Sequence, residues 1–228
     1  MQTIFLAGAS RGVGREIAKL LLENEPPSVR LRVLLRNPTY TVELEAIGAE
    51  VVMGDALNLA DLESAMLKGG NIDTVITTMG GLPSDRGGRA DCEGNQNLID
   101  VAVKAGVKRF IMVSSIGTGD SVVAVSPQVL QALGPILQEK EKAEQHLIAS
   151  GLTYTIVRPG GLKSEPATGN AVLTEDIHVA GIIHRADVAR LVCDCLRSER
   201  ANNKIFSAVD RQMLFKPLEF AIVDLAEQ

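Results

Sequence analysis

The 228-residue chain predicts an α/β fold: a doubly wound, mostly parallel sheet with helices on both faces and a small C-terminal cap on the substrate side. Two observations predict it. Apolar runs of strand length alternate with amphipathic stretches of helix length, the pattern of repeated βαβ units. The runs are rich in Val, Ile and Thr and lack polar alternation, as parallel strands buried on both faces must be. Right-handed crossovers then build one open sheet whose ligand crevice lies beyond the carboxyl ends of its strands.

The strand-like runs cover residues 3–7, 31–35, 50–53, 74–78, 110–114 and 153–157. Helical periodicity covers 13–23, a short stretch at 42–47, then 60–67, 94–105 and about 130–149. A single domain, 1–228, is expected, with a core of about 1–158 and a cap and C-terminal elements in 159–228. Within the cap, a turn at Thr168-Gly169-Asn170 between two short β-like runs suggests a lid or hairpin over 163–183. A turn and strand follow at 201–208 and a terminal helix at 217–227, while Met79, Leu82, Leu162 and Phe215 are candidate apolar walls.

Composition excludes several functions. With 23 Lys+Arg against 28 Asp+Glu the formal charge is −5, which argues against a nucleic-acid or anionic-membrane binder, because both need a basic surface. Cys92, Cys193 and Cys195 read as reduced core thiols, since Cys193 and Cys195 fall on different faces of a helix and offer no CxxC bite. No apolar run approaches 18 residues and no signal pattern is visible, so a cytoplasmic protein without a membrane span is expected, as a monomer or small homo-oligomer. His146, His178 and His184 form no HxH or HExxH spacing, and no metal site is expected. Ser114 lacks a G-x-S-x-G elbow, which removes the hydrolase reading.

The loop after the first strand, Gly8-Ala9-Ser10-Arg11-Gly12-Val13-Gly14, follows a strand and opens a helix, the context of a dinucleotide fingerprint in a Rossmann sheet. Gly8 suits the tight turn, Gly12 lets backbone approach a pyrophosphate, and Gly14 lets helix pack against strand. Ser10, Arg11 and Val13 complete the cofactor-facing loop at a helix N-terminus that donates N–H groups to phosphate. The alternative is a plain tight turn between strand and helix.

The end of the second strand selects the dinucleotide. An NAD site usually places Asp or Glu there to accept from the ribose 2′-hydroxyl, whereas this strand delivers Arg36. A guanidinium can grip a 2′-phosphate with charge-assisted bonds, and Arg11 can approach it from the glycine loop, so NADP(H) is preferred over NAD(H). The alternative for Arg36 is a solvated loop cation. After the third strand, Asp55 either accepts from the adenine amino group with Ala56 closing over the ring edge, or caps the helix beginning near Leu59. After the fourth, Thr78-Met79-Gly80-Gly81 brings small residues to the crevice beside the cofactor ribose.

These segments, together with 94–110 (GNQNLIDVAVKAGVKRF), Val113-Ser114-Ser115 and 154–162 (YTIVRPGGL), resemble the atypical short-chain dehydrogenase/reductase superfamily. The branch is that of NmrA-like and biliverdin-IXβ (flavin) reductase-like proteins, and the matching segments span about three quarters of the chain. The resemblance implies that Ser114 or Ser115 is the active-site serine that bonds a substrate carbonyl. It implies that Lys140, four residues before Glu144, binds the nicotinamide ribose, and that Pro159-Gly160-Gly161-Leu162 contacts the nicotinamide amide. Relatives carry a helix like that at Asp187-Val188-Ala189, where it looks structural.

One departure stands out. The superfamily's proton donor is a tyrosine four residues before the lysine, and here that position is Ile136. Tyr40 and Tyr154 lie elsewhere. Two functions follow: an NADPH-dependent oxidoreductase reducing a conjugated small-molecule acceptor (flavin, quinone or tetrapyrrole type), or a noncatalytic NADP(H)-binding redox sensor or assembly factor of NmrA-like type.

Overall fold

Side chains of the first strand, β1 (Gln2–Ala7), alternate between two apolar layers: Ile4 and Leu6 face one, Phe5 and Ala7 the other. The first layer is closed by α1 (Gly12–Glu23), through Ile17 and Leu21, and by α6 (Arg185–Arg197), through Val188 and Val192. The second is closed by α3 (Leu59–Leu67), α4 (Asn95–Lys104) and α5 (Pro127–Ala149), through Leu62, Leu98 and Leu147. The computed structural model describes residues 1–23, 29–80 and 90–226. The expected Gly81 and Leu82 lie outside them.

The remaining strands of the classical half-order are β2 (Val29–Leu35), β3 (Glu50–Met53), β4 (Thr74–Thr77), β5 (Arg109–Val113) and β6 (Thr153–Pro159), with the short α2 (Thr41–Ala46) before β3. Two further strands, β10 (Lys204–Asp210) and β8 (Ala171–Thr174), extend the sheet, whose order is β3-β2-β1-β4-β5-β6-β10-β8. Every pairing is parallel except that of β8 with β10. The α/β doubly wound reading is therefore correct, and the sheet also draws strands from beyond residue 158.

Two expected elements are absent. Instead of a hairpin in 163–183, β7 (Gly161–Lys163) pairs in parallel with β9 (Ile182–His184), while β8 joins the main sheet. The turn at Thr168 is drawn away because the Thr168 and Gly169 N–H groups donate to the buried Asp187 carboxylate at 2.8 and 3.1 Å. Asp187 thus ties a loop to the start of α6. The expected terminal helix is also not formed: 217–226 runs without regular structure. Several of its backbone groups bond to distant parts of the chain. Arg200 Nη1 donates to the carbonyls of Asp224 and Ala226, and Val223 N donates to Leu173 O.

The three cysteines are buried and form no disulfide. Burial pushes the Cys195 thiol up to about 12 and raises Cys92 as well, so neither presents a reactive thiolate.

Charged groups inside the fold are satisfied one by one. Arg32, fully buried in β2, donates to Glu50 and to the carbonyls of Ala65, Lys68 and Gly69 at the end of α3. Arg158 of β6 forks onto Glu144 of α5, Nε to Oε1 at 3.1 Å and Nη2 to Oε2 at 2.7 Å, and its Nη1 donates to Asp120. Arg158 and Glu144 are both buried. Glu144→Ala, which strands the guanidinium, is expected to cost about 3–5 kcal/mol. Urea unfolding should show a lower midpoint at unchanged slope, and the double variant Glu144→Leu with Arg158→Met should recover most of the loss.

Candidate cofactor and active site

The carboxyl ends of β1, β2, β4, β5 and β6 open into one cleft of about 770 Å³. The turn leaving β1 builds its floor. Gly8 and Gly12 have φ of +96° and +60°, which side chains disfavour, and a Cβ on Gly14 would run into Gly8 O and Thr78 Oγ1. Thr78 reinforces this approach by donating from Oγ1 to Gly8 O at 3.1 Å. The three glycines are therefore required by geometry, two for their backbone and one for its contact.

Gly8, Ser10, Arg11, Gly12 and Val13 line the cleft, as do Arg36, Asp55, Ala56, Thr78, Met79 and Gly80. Ser114, Ser115, Lys140, Pro159, Gly160 and Leu162 line it too, so the structure gathers residues from seven separate segments. Gly14 and Gly161 do not reach its wall; Gly14 is buried behind the turn, and Gly161 is exposed on β7. Of the expected apolar walls, Met79 and Leu162 are in place, whereas Phe215 is exposed elsewhere.

Arg11 and Arg36 are exposed at the end of the cleft formed by the glycine loop and β2. The capping role for Asp55 is overturned. Asn58 caps α3, its side chain accepting from Ala60 N at 3.1 Å, while Asp55 Oδ1 accepts from Leu57 N within its own turn. Asp55 is thereby held on the cleft wall with Ala56 buried beside it.

At the other end the two serines separate. Ser115 Oγ donates to Ile116 O at 3.0 Å, whereas Ser114 Oγ is buried with no hydrogen-bond partner. An unpaired hydroxyl in a buried position costs free energy unless a bound group completes it. Lys140 Nζ lies 2.9 Å from Asp91 Oδ1, and both side chains are largely buried. Asp91 was not visible from the sequence. It sits in a single π-helical turn, Ala90–Gly94, held by Asn95, whose Nδ2 donates to Asp91 O and whose Oδ1 accepts from Thr77 Oγ1. Ile136 is off the cleft, Tyr40 and Tyr154 pack against the two apolar layers, and no tyrosine lines the cleft among the described residues.

The histidines are engaged elsewhere: His146 with Asp100, His178 with Asp176, and His184 Nδ1 with Pro166 O at 2.6 Å. Among the described residues no cluster could hold a metal. The cleft also contains a cation that sequence reasoning missed, Arg185, at the first position of α6.

Residues 8–199 match the NAD(P)H-binding family. An uncharacterized sugar epimerase of Bacillus subtilis, YhfK, is 35% identical over 210 residues, covering 91% of this chain and 94% of that protein. Sanguinarine reductase of Eschscholzia californica is 30% identical over 243 residues, covering 90% and 87%. The solved structure of ChuY, an anaerobillin reductase from Escherichia coli O157:H7, superposes with a TM-score of 0.83 at 31% identity, covering 95% of this chain and all of that one.

Gly80 is where the cleft is least tolerant. Its φ is +133°, and a Cβ there would run into Asp91 Oδ1 and sit 2.6 Å from Lys140 Nζ. Gly80→Ala is expected to part this ion pair and add about 1–3 kcal/mol of backbone strain. Calorimetric titration with NADPH should then show weakened binding by a protein whose circular dichroism is unchanged.

Proposed function

The chain belongs to the NAD(P)H-binding family, in its atypical short-chain dehydrogenase/reductase branch, and on that premise we propose that it is an NADP(H)-dependent reductase of a conjugated acceptor. Flavin, quinone and linear tetrapyrrole are the acceptor types. The observation that carries this reading is the unpartnered, buried Ser114 hydroxyl in a cleft that Lys140 also lines and that no tyrosine lines among the described residues.

The residues present fit a dinucleotide. Glycines leave room where backbone must meet phosphate, the N-terminus of α1 supplies donors, and Arg36 and Arg11 offer charge to a 2′-phosphate. When bound, the cofactor supplies a hydride. Ser114 Oγ donates to the acceptor oxygen or nitrogen that gains electron density, as a fixed donor. Lys140, steadied by Asp91, positions the ribose hydroxyls. Pro159, Gly160 and Leu162 bound the nicotinamide side. The one proton that the reduction needs besides the hydride comes from water, because no tyrosine is placed to give it. Two relatives bear reductase names, which favours this chemistry over epimerisation. The three buried thiols suit a reducing cytoplasm.

A second reading, a noncatalytic NADP(H)-binding sensor or assembly factor, is favoured by Ile136 where the superfamily's acid stands. The two are separated by anaerobic loss of reduced-nicotinamide absorbance with a panel of flavins, quinones and biliverdins. Turnover by the wild type, reduced about 10²-fold in Ser114→Ala, is expected for the reductase, the scale of losing one fixed donor. Tight NADPH binding without turnover on any acceptor would establish the second reading instead.

The 2′-phosphate assignment has its own measurement. Arg36→Asp should reduce the NADPH to NADH affinity ratio, by roughly a hundredfold if the charged contact is worth ~3 kcal/mol. An unchanged ratio removes Arg36 from the site.

A further inference from the structure

We infer that Arg185 is a further cofactor-binding cation, beside Arg11, Arg36 and Lys140: a clamp that takes the pyrophosphate of the bound dinucleotide from the C-terminal part of the chain. The inference rests on the dinucleotide reading above and adds a residue and a contact to it.

Its placement comes from helix packing. α1 and α6 lie side by side over the same face of the sheet, and their first residues are neighbours. A Cβ on Gly12, which opens α1, would lie 3.6 Å from Arg185 Nε. The guanidinium therefore rests over the part of the glycine loop that backbone must leave open for a pyrophosphate. Two helix N-termini meet there, and both favour an anion.

The side chain is also already aimed. Its Nη1 donates to Ser164 Oγ at 2.8 Å and to Leu162 O at 3.3 Å, which fixes one side of the planar fork. Among the described residues, Nε and Nη2 have no hydrogen-bond partner and no carboxylate pairs with Arg185. A guanidinium held on one edge and open on the other is preorganised for an oxyanion, because its rotamer entropy is already spent.

Charge placement supports the same position. Arg36 stands at the adenosine end of the cleft and Lys140 at the serine end, paired with Asp91. A dinucleotide bound between those ends would place there a pyrophosphate with two formal negative charges, in a protein whose own charge is −5. Arg185 supplies a cation there. Because it also holds Leu162 and Ser164, cofactor binding would draw the segment after Gly160 and Gly161 against the glycine loop.

Calorimetry on the full-length wild type, Arg185→Gln and Arg36→Asp, each with NADPH, NADH and 2′-AMP, tests the assignment. Arg185→Gln should weaken NADPH and NADH by the same factor, about ten- to a hundredfold. It should leave 2′-AMP, which has no pyrophosphate, bound as by wild type; Arg36→Asp should do the reverse for 2′-AMP. Equal NADPH binding by wild type and Arg185→Gln overturns the assignment alone. So does a parallel loss of 2′-AMP, which would make the effect structural. A wild type that binds neither dinucleotide overturns the parent reading and this assignment together.

Discussion

The ion pair between Arg158 and Glu144 fixes how the reactive end of the cleft is assembled. Glu144 lies one helical turn beyond Lys140 on α5, and Arg158 immediately precedes Pro159 and Gly160. Two buried bonds join a single guanidinium to a single carboxylate, and Asp120 satisfies the remaining nitrogen. A slip of one residue along α5 rotates the side chain by about 100° and breaks the fork. Burying such a pair returns little net stability, because desolvation of both groups consumes most of the attraction. What it supplies is register: Lys140 can face the cleft only when Glu144 faces Arg158.

A second constraint operates through absent side chains. Gly160 donates from N to Ala208 O, and a Cβ on it would strike Gly181 O. β6, β10 and the β7–β9 pair thus converge on one backbone atom group at the cleft's edge. At the opposite edge, Gly8, Gly14 and Thr78 bring β1, α1 and β4 into similar contact. The cleft between these two seams has a backbone floor, so its shape depends on close approach and its charge on the few side chains that project into it.

This division explains what could be read from the chain alone. Strand and helix periods are local, and six strands were legible to within about two residues at either end. The glycine loop was legible because φ and close approach constrain residue type directly. Asp91 was not, since nothing about a lone carboxylate before a helix reveals that Lys140, 49 positions on, will reach it. Arg185 read as part of a helix start whose informative residue was Asp187, and only the packing of α6 beside α1 brings it to Gly12. Arg32 read as one polar residue in an apolar strand, with its carbonyl partners at the end of α3 out of view. The segment 217–226 has helical spacing, but Arg200 and Leu173 capture its backbone groups first. Each miss rests on a long-range contact, most of them polar, to which hydrophobic period is blind.

The place of Ile136 bears on which acceptors such a cleft can serve. Hydride addition to an isolated ketone leaves an alkoxide, a localised and strongly basic charge that needs an acid within hydrogen-bond reach as it forms. Ser114 can donate a hydrogen bond to that oxygen, but its own hydroxyl is too weak an acid to surrender the proton without a relay. A flavin, quinone or conjugated tetrapyrrole spreads the incoming charge over many atoms. The resulting anion is much less basic, so a fixed donor stabilises it and water can complete the protonation without a dedicated side chain. Under the proposed reductase reading, a cleft with the serine but without the tyrosine suits an acceptor that delocalises charge, and this chemical asymmetry favours conjugated acceptors over simple ketones.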